Sequence, residues 1–384
     1  MMKLSILKDD LNESIQHVSK AISSRTTIPI LTGIKIDVQP SGVTLTASDT
    51  EISIQSFIPI EKEGTAVVAV VEVLTPGSVV LPAKFFSEII RKLPAPDVTI
   101  EVKDNFLTWI RSGTAEIQIV GLDPEEYPLL PQLDESHTLS ISSDLLKAMI
   151  RQTTFAVSTS ETSPILTGVL WNFKQERLKL IACDRLRMAS RESHVETANP
   201  IDFQNIVIAG KSLNELSKLL PDQSMLVDIV VANNQVLFKM DTILFYTRML
   251  DGTYPDTSKL IPQSFQTELT IDTKKLADAI DRAYLLSREE KTNIVKMTLK
   301  DESTVEISSS SSELGKVTEQ IEAHKLSGEL LSISFNSKYM LDALKVIDSD
   351  FIQICFRGAM QPIIMKPEDH SNMLHLIMPY RTTN

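Results

Sequence analysis

The sequence predicts an α+β fold built three times over in tandem. Three observations carry this. Lys84, Lys211 and Lys338 each open a predicted helix, and successive members stand 127 residues apart. Pro29-Ile30-Leu31-Thr32-Gly33 recurs letter for letter as Pro164-Ile165-Leu166-Thr167-Gly168. Tyr127-Pro128 returns as Tyr254-Pro255, again 127 residues on. A chain of 384 residues then divides into units of about 128, an ordinary domain size. Proline-bearing acidic connectors, 123–128 and 251–256, close the first two units, which sets domains at 1–131, 132–262 and 263–384.

Each unit opens with a strand: Leu4-Ser5-Ile6, Leu139-Ser140-Ile141 and Leu269-Thr270-Ile271. A first helix follows. Leu11, Ile15, Val18 and Ile22 form one apolar stripe at helical spacing. Leu146, Ile150 and Val157 repeat it, and Leu276, Ile280 and Ala283 repeat it more weakly. Alternating strands come next, at 34–38 and 43–46, then 169–173 and 178–181, then 295–299 and 305–307. Asp49 and Asp184 hold equivalent loop positions, where the third unit offers only the serines 308–312, expected as a strand end and loop. The second helix begins at Lys84, Lys211 or Lys338, and further strands close the unit. Strands outnumber helices and strict βα alternation is absent, so two helices lie on antiparallel sheets in each domain.

Hydrophobic content of 42% and charged content of 23% are those of a soluble protein. No apolar run reaches membrane-span length, and the N-terminus lacks the apolar stretch of a signal peptide. Two cysteines suggest a reducing compartment, so a cytoplasmic protein with no membrane partner is expected. Catalysis finds no support. The six histidines show no metal-ligand spacing; His370 and His375 are five apart, in a predicted strand and turn. No phosphate loop, GxGxxG or GxSxG occurs. Cys183 reads as a small buried residue. No cofactor, metal or catalytic residue is expected.

The net charge of −12 argues against nucleic acid unless the cations share a face. On the second helices they do. Lys84, Glu88 and Arg91 align with Lys211, Glu215 and Lys218, and with Lys338, Asp342 and Lys345. Positions i, i+4 and i+7 share a side, and in the first unit Phe86, Ile89, Ile90 and Leu93 lie opposite. Each helix should point two cations and one anion into solvent. Lysine before acid is the weaker order for helix support, so a solvated salt-bridged face explains three copies poorly. Arg151 and Lys20 add charge less regularly from the first helices.

Helices are about 10 Å wide, so six would enclose a hole of about 10 Å, and twelve from two chains about 28 Å. A duplex is about 20 Å across, so two chains are needed to encircle it.

The triplication, the loop Cys183-Asp184-Arg185-Leu186-Arg187-Met188, the turn Tyr254-Pro255-Asp256 and the C-terminal Met378-Pro379-Tyr380-Arg381 resemble the bacterial DNA polymerase III β subunits, the sliding clamps. The resemblance covers the whole chain. It implies three DNA clamp domains per chain and a head-to-tail homodimer: a six-domain ring around double-stranded DNA, bound without sequence preference. It implies a processivity factor, not an enzyme. The implied partners are the replicative DNA polymerase, the clamp loader and other proteins bearing a clamp-binding motif. Arg25, Lys211 and Lys218 match inner-surface positions, joined here by Lys84, Arg91, Arg151, Lys338 and Lys345. A partner-peptide groove is implied at Leu166, Arg187, Met188, Pro255, Leu260, Leu376 and Met378, with a shelf at Tyr339, Met360, Pro362, Pro379, Tyr380 and Arg381. The dimer would join Ile117 and Ile119 to Leu285 and Leu286. Two positions depart from the family: Leu186 replaces the usual His, and no basic residue accompanies Glu116. The competing reading is a three-domain scaffold whose helices face protein.

Overall fold

Alternation of side chains dictates the strands. In Met2–Leu7 the residues Met2, Leu4 and Ile6 are buried and those between are partly exposed. The same period of two runs through Ile52–Pro59. Helical spacing dictates the helices. In the computed structural model the described residues are all of 1–384 except 24–25, 63–66, 132, 135–137, 198–200, 233, 290–291, 312, 370–371 and 382–384. Among them are six α-helices: α1 Lys8–Val18, α2 Ala83–Lys92, α3 Ser143–Thr154, α4 Gly210–Ser217, α5 Thr273–Glu289 and α6 Ser337–Leu344. Lys84, Lys211 and Lys338 each take the second position of a helix. The apolar stripes fall where expected, except that Ile22 and Val157 lie beyond the ends of α1 and α3 and are only half-buried.

The chain forms two compact units, Met1–Asp144 with Lys218–Met249, and Leu145–Ser217 with Leu250–Asn384. The first holds a five-stranded antiparallel sheet running Ala115–Val120, Leu107–Ser112, Asp97–Val102, Met2–Leu7, Val71–Thr75. It also holds an eight-stranded sheet in which the middle repeat adds Ile243–Arg248 to the first repeat's Ile52–Pro59. Beneath it, α2 buries Phe86 and Ile90 completely, each contributing about 1.5–3 kcal/mol.

The second unit holds a nine-stranded sheet in which Arg187–His194 of the middle repeat pairs with Met373–Ile377 of the third. A four-stranded sheet ends at Gly315–Glu322, next to Thr304–Ser311. One core cluster unites Leu276, Ile280 and Ala283 of α5 with Met340 of α6 and Phe335.

The two shared ladders match rung for rung. Ile243 faces Ser56 and Thr247 faces Ile52; Met373 faces Arg191 and Ile377 faces Arg187. Each ladder removes two strand edges from solvent. The repeated Pro-Ile-Leu-Thr-Gly segment is a 3₁₀ turn in both places, Pro29–Thr32 and Pro164–Thr167. Its glycine is required by close approach. A Cβ on Gly33 would stand 2.5 Å from Val80 Cγ1, and one on Gly168 2.6 Å from Val207 Cγ1.

The loop aspartates are equivalent in detail. Asp49 Oδ1 accepts from the Glu51 and Ile52 amides. Asp184 Oδ1 accepts from those of Leu186 and Arg187. In the third repeat Ser311 Oγ does the same for Glu313 and Leu314. The serine run forms the end of the Thr304–Ser311 strand, as expected, paired through Ser311↔Gly315, and the Ser311 hydroxyl caps the turn that follows; Ser312 lies outside the described residues.

Candidate functional site

Three of the candidate groove residues, Arg187, Met188 and Leu376, are drawn together by the ladder between Arg187–His194 and Met373–Ile377. Met188 pairs with Leu376. On the sheet face bearing Met188 and Leu376, Leu166, Cys183 and Tyr254 pack with them in one cluster. Leu166, Met188 and Leu376 are 5%, 2% and 2% exposed, so in the candidate groove they could serve only as a floor. A cavity of ≈ 540 Å³ beside it is lined by Met188, Tyr254 and Pro255, together with Leu170, Ile181 and Ile261. The Tyr254 hydroxyl donates to Gly168 O and accepts from the Cys183 amide. Burial pushes the thiol of Cys183 and the phenol of Tyr254 above their usual ranges.

Apolar side chains remain exposed on the rim: Leu186, Leu260, Met378 and Tyr380. The Met378 amide donates to Leu186 O at 2.8 Å, and the Tyr380 amide to Ser334 O at 2.7 Å. Pro379 bridges to Phe335, Arg381 is exposed, and Met360 and Pro362 lie on the turn before Ile363–Pro367. Leu186 belongs with this rim although sequence reasoning noted it only as a departure.

Arg187 departs from expectation. Its side chain is 11% exposed and bonds two carboxylates, Asp184 at 3.0 Å and Asp342 at 2.7 Å. Its guanidinium lies 4.4 Å from the Tyr339 ring centre and 5.6 Å from that of Phe155. It is a tie between the Asp184 loop and α6 rather than a free groove wall. Burial raises the Tyr339 phenol, with Asp184 adding to the effect. Asp342 corrects a second expectation: it does not point into solvent as the anion of the α6 face.

The candidate cations sit on the helices in both units. Lys84 and Arg91 are exposed on α2, Lys211 on α4 and Lys338 on α6. Lys218 and Lys345 are exposed but follow the last residues of α4 and α6, where sequence spacing placed them within the helices. Arg151 on α3 is ion-paired with Asp348. Arg25 lies outside the described residues.

Ile117 and Ile119 lie on Ala115–Val120, an edge strand of the five-stranded sheet, half-buried while Val120 is exposed. Glu116 bonds Arg111 of the neighbouring strand. Leu285 of α5 is exposed and Leu286 half-buried. Gly315–Glu322 is the edge of the four-stranded sheet.

His370, five residues from His375 in the sequence, lies outside the described residues; His375 has a structural place of its own. It is buried in the ladder below the groove floor, and neither ring nitrogen has a hydrogen-bond partner among the described residues. Desolvation lowers its pKa to about 4. No described helix is long and apolar enough to cross a membrane.

Three family models match along the chain: the N-terminal domain of the DNA polymerase III beta subunit at residues 2–131, its central domain at 140–256 and its C-terminal domain at 258–381. The chain is 53% identical over 381 residues to the beta sliding clamp of Bacillus subtilis, covering 99% of this chain and 100% of that one. It is 48% identical over 382 residues to that of Halalkalibacterium halodurans, at 99% and 100% coverage. The crystal structure of the Bacillus subtilis DNA polymerase sliding clamp superposes with a TM-score of 0.96 at 53% identity, covering 100% of both chains. That of the Streptococcus pneumoniae DNA polymerase III beta chain does so at 0.94 and 37% identity, also with 100% of both chains covered.

Proposed function

This chain belongs to the bacterial DNA polymerase III beta subunit family and is a sliding-clamp processivity factor; we propose that it works as a head-to-tail homodimer encircling duplex DNA. The observation that carries the dimer is a pair of sheet-end strands that correspond to those joined in the two internal ladders. Inside the chain, the edge of one repeat meets the next through a ladder, once at Phe245↔Ile54 and once at Ala189↔His375. Ala115–Val120 and Gly315–Glu322 are the strands left over in that series. Carrying the same rungs across to a second copy sets Ile117 opposite Val317. Leu285 then covers the joint as Phe155 covers His375, with ring centres 5.4 Å apart.

In this reading Lys84, Arg91, Lys211, Lys218, Lys338 and Lys345 face DNA, joined by Arg25 and Arg151. The contact is loose and electrostatic, and retention comes from the closed ring. The acidic exterior implied by a net charge of −12 discourages binding outside it. The groove between the Asp184 loop and the C-terminal segment takes peptides of the replicative polymerase, clamp loader and related partners, its exposed Met and aromatic rim adapting to each. The protein performs no chemistry itself and acts in the cytoplasm, where bacterial DNA lies.

Light scattering on the purified chain should give a dimer, and Ile117→Arg a folded monomer. Protein loaded on a nicked circle should leave when the circle is linearised. A wild-type monomer at micromolar concentration, or retention on linear DNA, overturns the proposal.

A further inference from the structure

One guanidinium joins the partner groove to a DNA-facing helix. Arg187 precedes Met188 of the groove floor, yet its Nη1 donates to Asp342 Oδ2 on α6. Asp342 stands four residues after Lys338 and three before Lys345, on the side that carries both. Helical spacing alone would set its charge against Lys338. The structure gives it to an arginine 155 residues away in the sequence, while Asp184 Oδ2 and the Tyr339 ring hold that arginine in place.

Building on the DNA-facing reading of α6, we propose that Arg187 is a positioning residue for DNA contact. By pairing with Asp342 it offsets the anion that stands between Lys338 and Lys345 in the sequence. A groove occupant whose carboxylate draws Arg187 away returns that anion to the DNA face. Partner binding and DNA contact are thereby coupled through one ion pair.

The charge count makes the test specific. Arg187 with Asp184 and Asp342 sums to −1; Arg187→Gln, which mimics a withdrawn arginine, makes it −2; adding Asp342→Asn returns it to −1. One charge several ångströms from a phosphate contact through a water-like medium changes affinity by about twofold per copy.

The full-length protein would be titrated against a fluorescein-labelled duplex by anisotropy at several low salt concentrations. Arg187→Gln should weaken binding about twofold or more, Arg187→Gln/Asp342→Asn should return it to wild type, and Asp342→Asn alone should tighten it. Thermal melts report any loss of folding separately. Weakening that Asp342→Asn fails to rescue would make Arg187 merely structural and overturn the inference. Lys338→Glu/Lys345→Glu is the control: if it leaves binding unchanged, the DNA-facing reading of α6 fails. If it weakens binding while Arg187→Gln does not, the coupling alone fails.

Discussion

Acid should loosen the second unit through a single imidazole, and His375→Phe should prevent it. His375 is 1% exposed, between Ala189 and Met365 in the nine-stranded sheet, with the Phe155 ring edge-on. Its folded pKa is about 4 against 6.5 for a free histidine. The depressed value fixes the sign. Well above pH 6.5 the ring is neutral in both states and contributes no pH dependence. Below it, the unfolded chain binds a proton that the fold refuses, so stability falls until the folded pKa is reached near 4. At 1.36 kcal/mol per unit, the loss across this window is about 3 kcal/mol. Phenylalanine has a precedent in the chain itself: Phe245 holds the matching rung of the other ladder, fully buried. Thermal melts of wild type and His375→Phe should therefore run nearly parallel above about pH 7 and diverge below about pH 6, with the variant more stable in acid. Other carboxylates and His17, also lowered by burial, act on both proteins alike and cancel in the difference. Equal acid sensitivity of the two would refute the argument, because the proton would then be entering elsewhere.

Asp184→Ala should destabilise by about 2–3 kcal/mol, and Asp49→Ala by about 1–2. Both lose two amide bonds, but only Asp184 also holds Arg187; equal losses in urea denaturation would contradict the tie. Met378→Ala should leave the melt unchanged, since the side chain is 38% exposed. It should still weaken a peptide from the organism's replicative polymerase about tenfold in calorimetry, an interface-anchor effect. Unaltered affinity would place the groove elsewhere.

Local pattern made the elements legible; reach across the chain did not. The 127-residue spacing located the starts of all three second helices to within one residue, because a helix start is fixed by its own turn. The equivalence of Asp49 and Asp184 was visible for the same reason: each caps amides two and three residues on. Ser311 was missed because a hydroxyl can replace the carboxylate in that role, and a search for aspartate finds nothing. Asp342 was misread for a different reason. Spacing on α6 fixes which side it leaves from, but Arg187 competes for it from another repeat, with two aromatic rings restricting the guanidinium. A desolvated pair of that kind outcompetes a solvent-exposed lysine one turn away, whose interaction is worth only a few tenths of a kcal/mol. Arg187 and Asp342 are thus misplaced because their partner lies beyond their own repeat, whereas Lys218 and Lys345 are misplaced only because α4 and α6 end one residue before them. Arg187 and Asp342 each lie in a segment aligned with the other repeats, and they bond each other across 155 residues of sequence. In a triplicated chain, departures from the repeat are where the copies have acquired separate work, and this ion pair is such a departure.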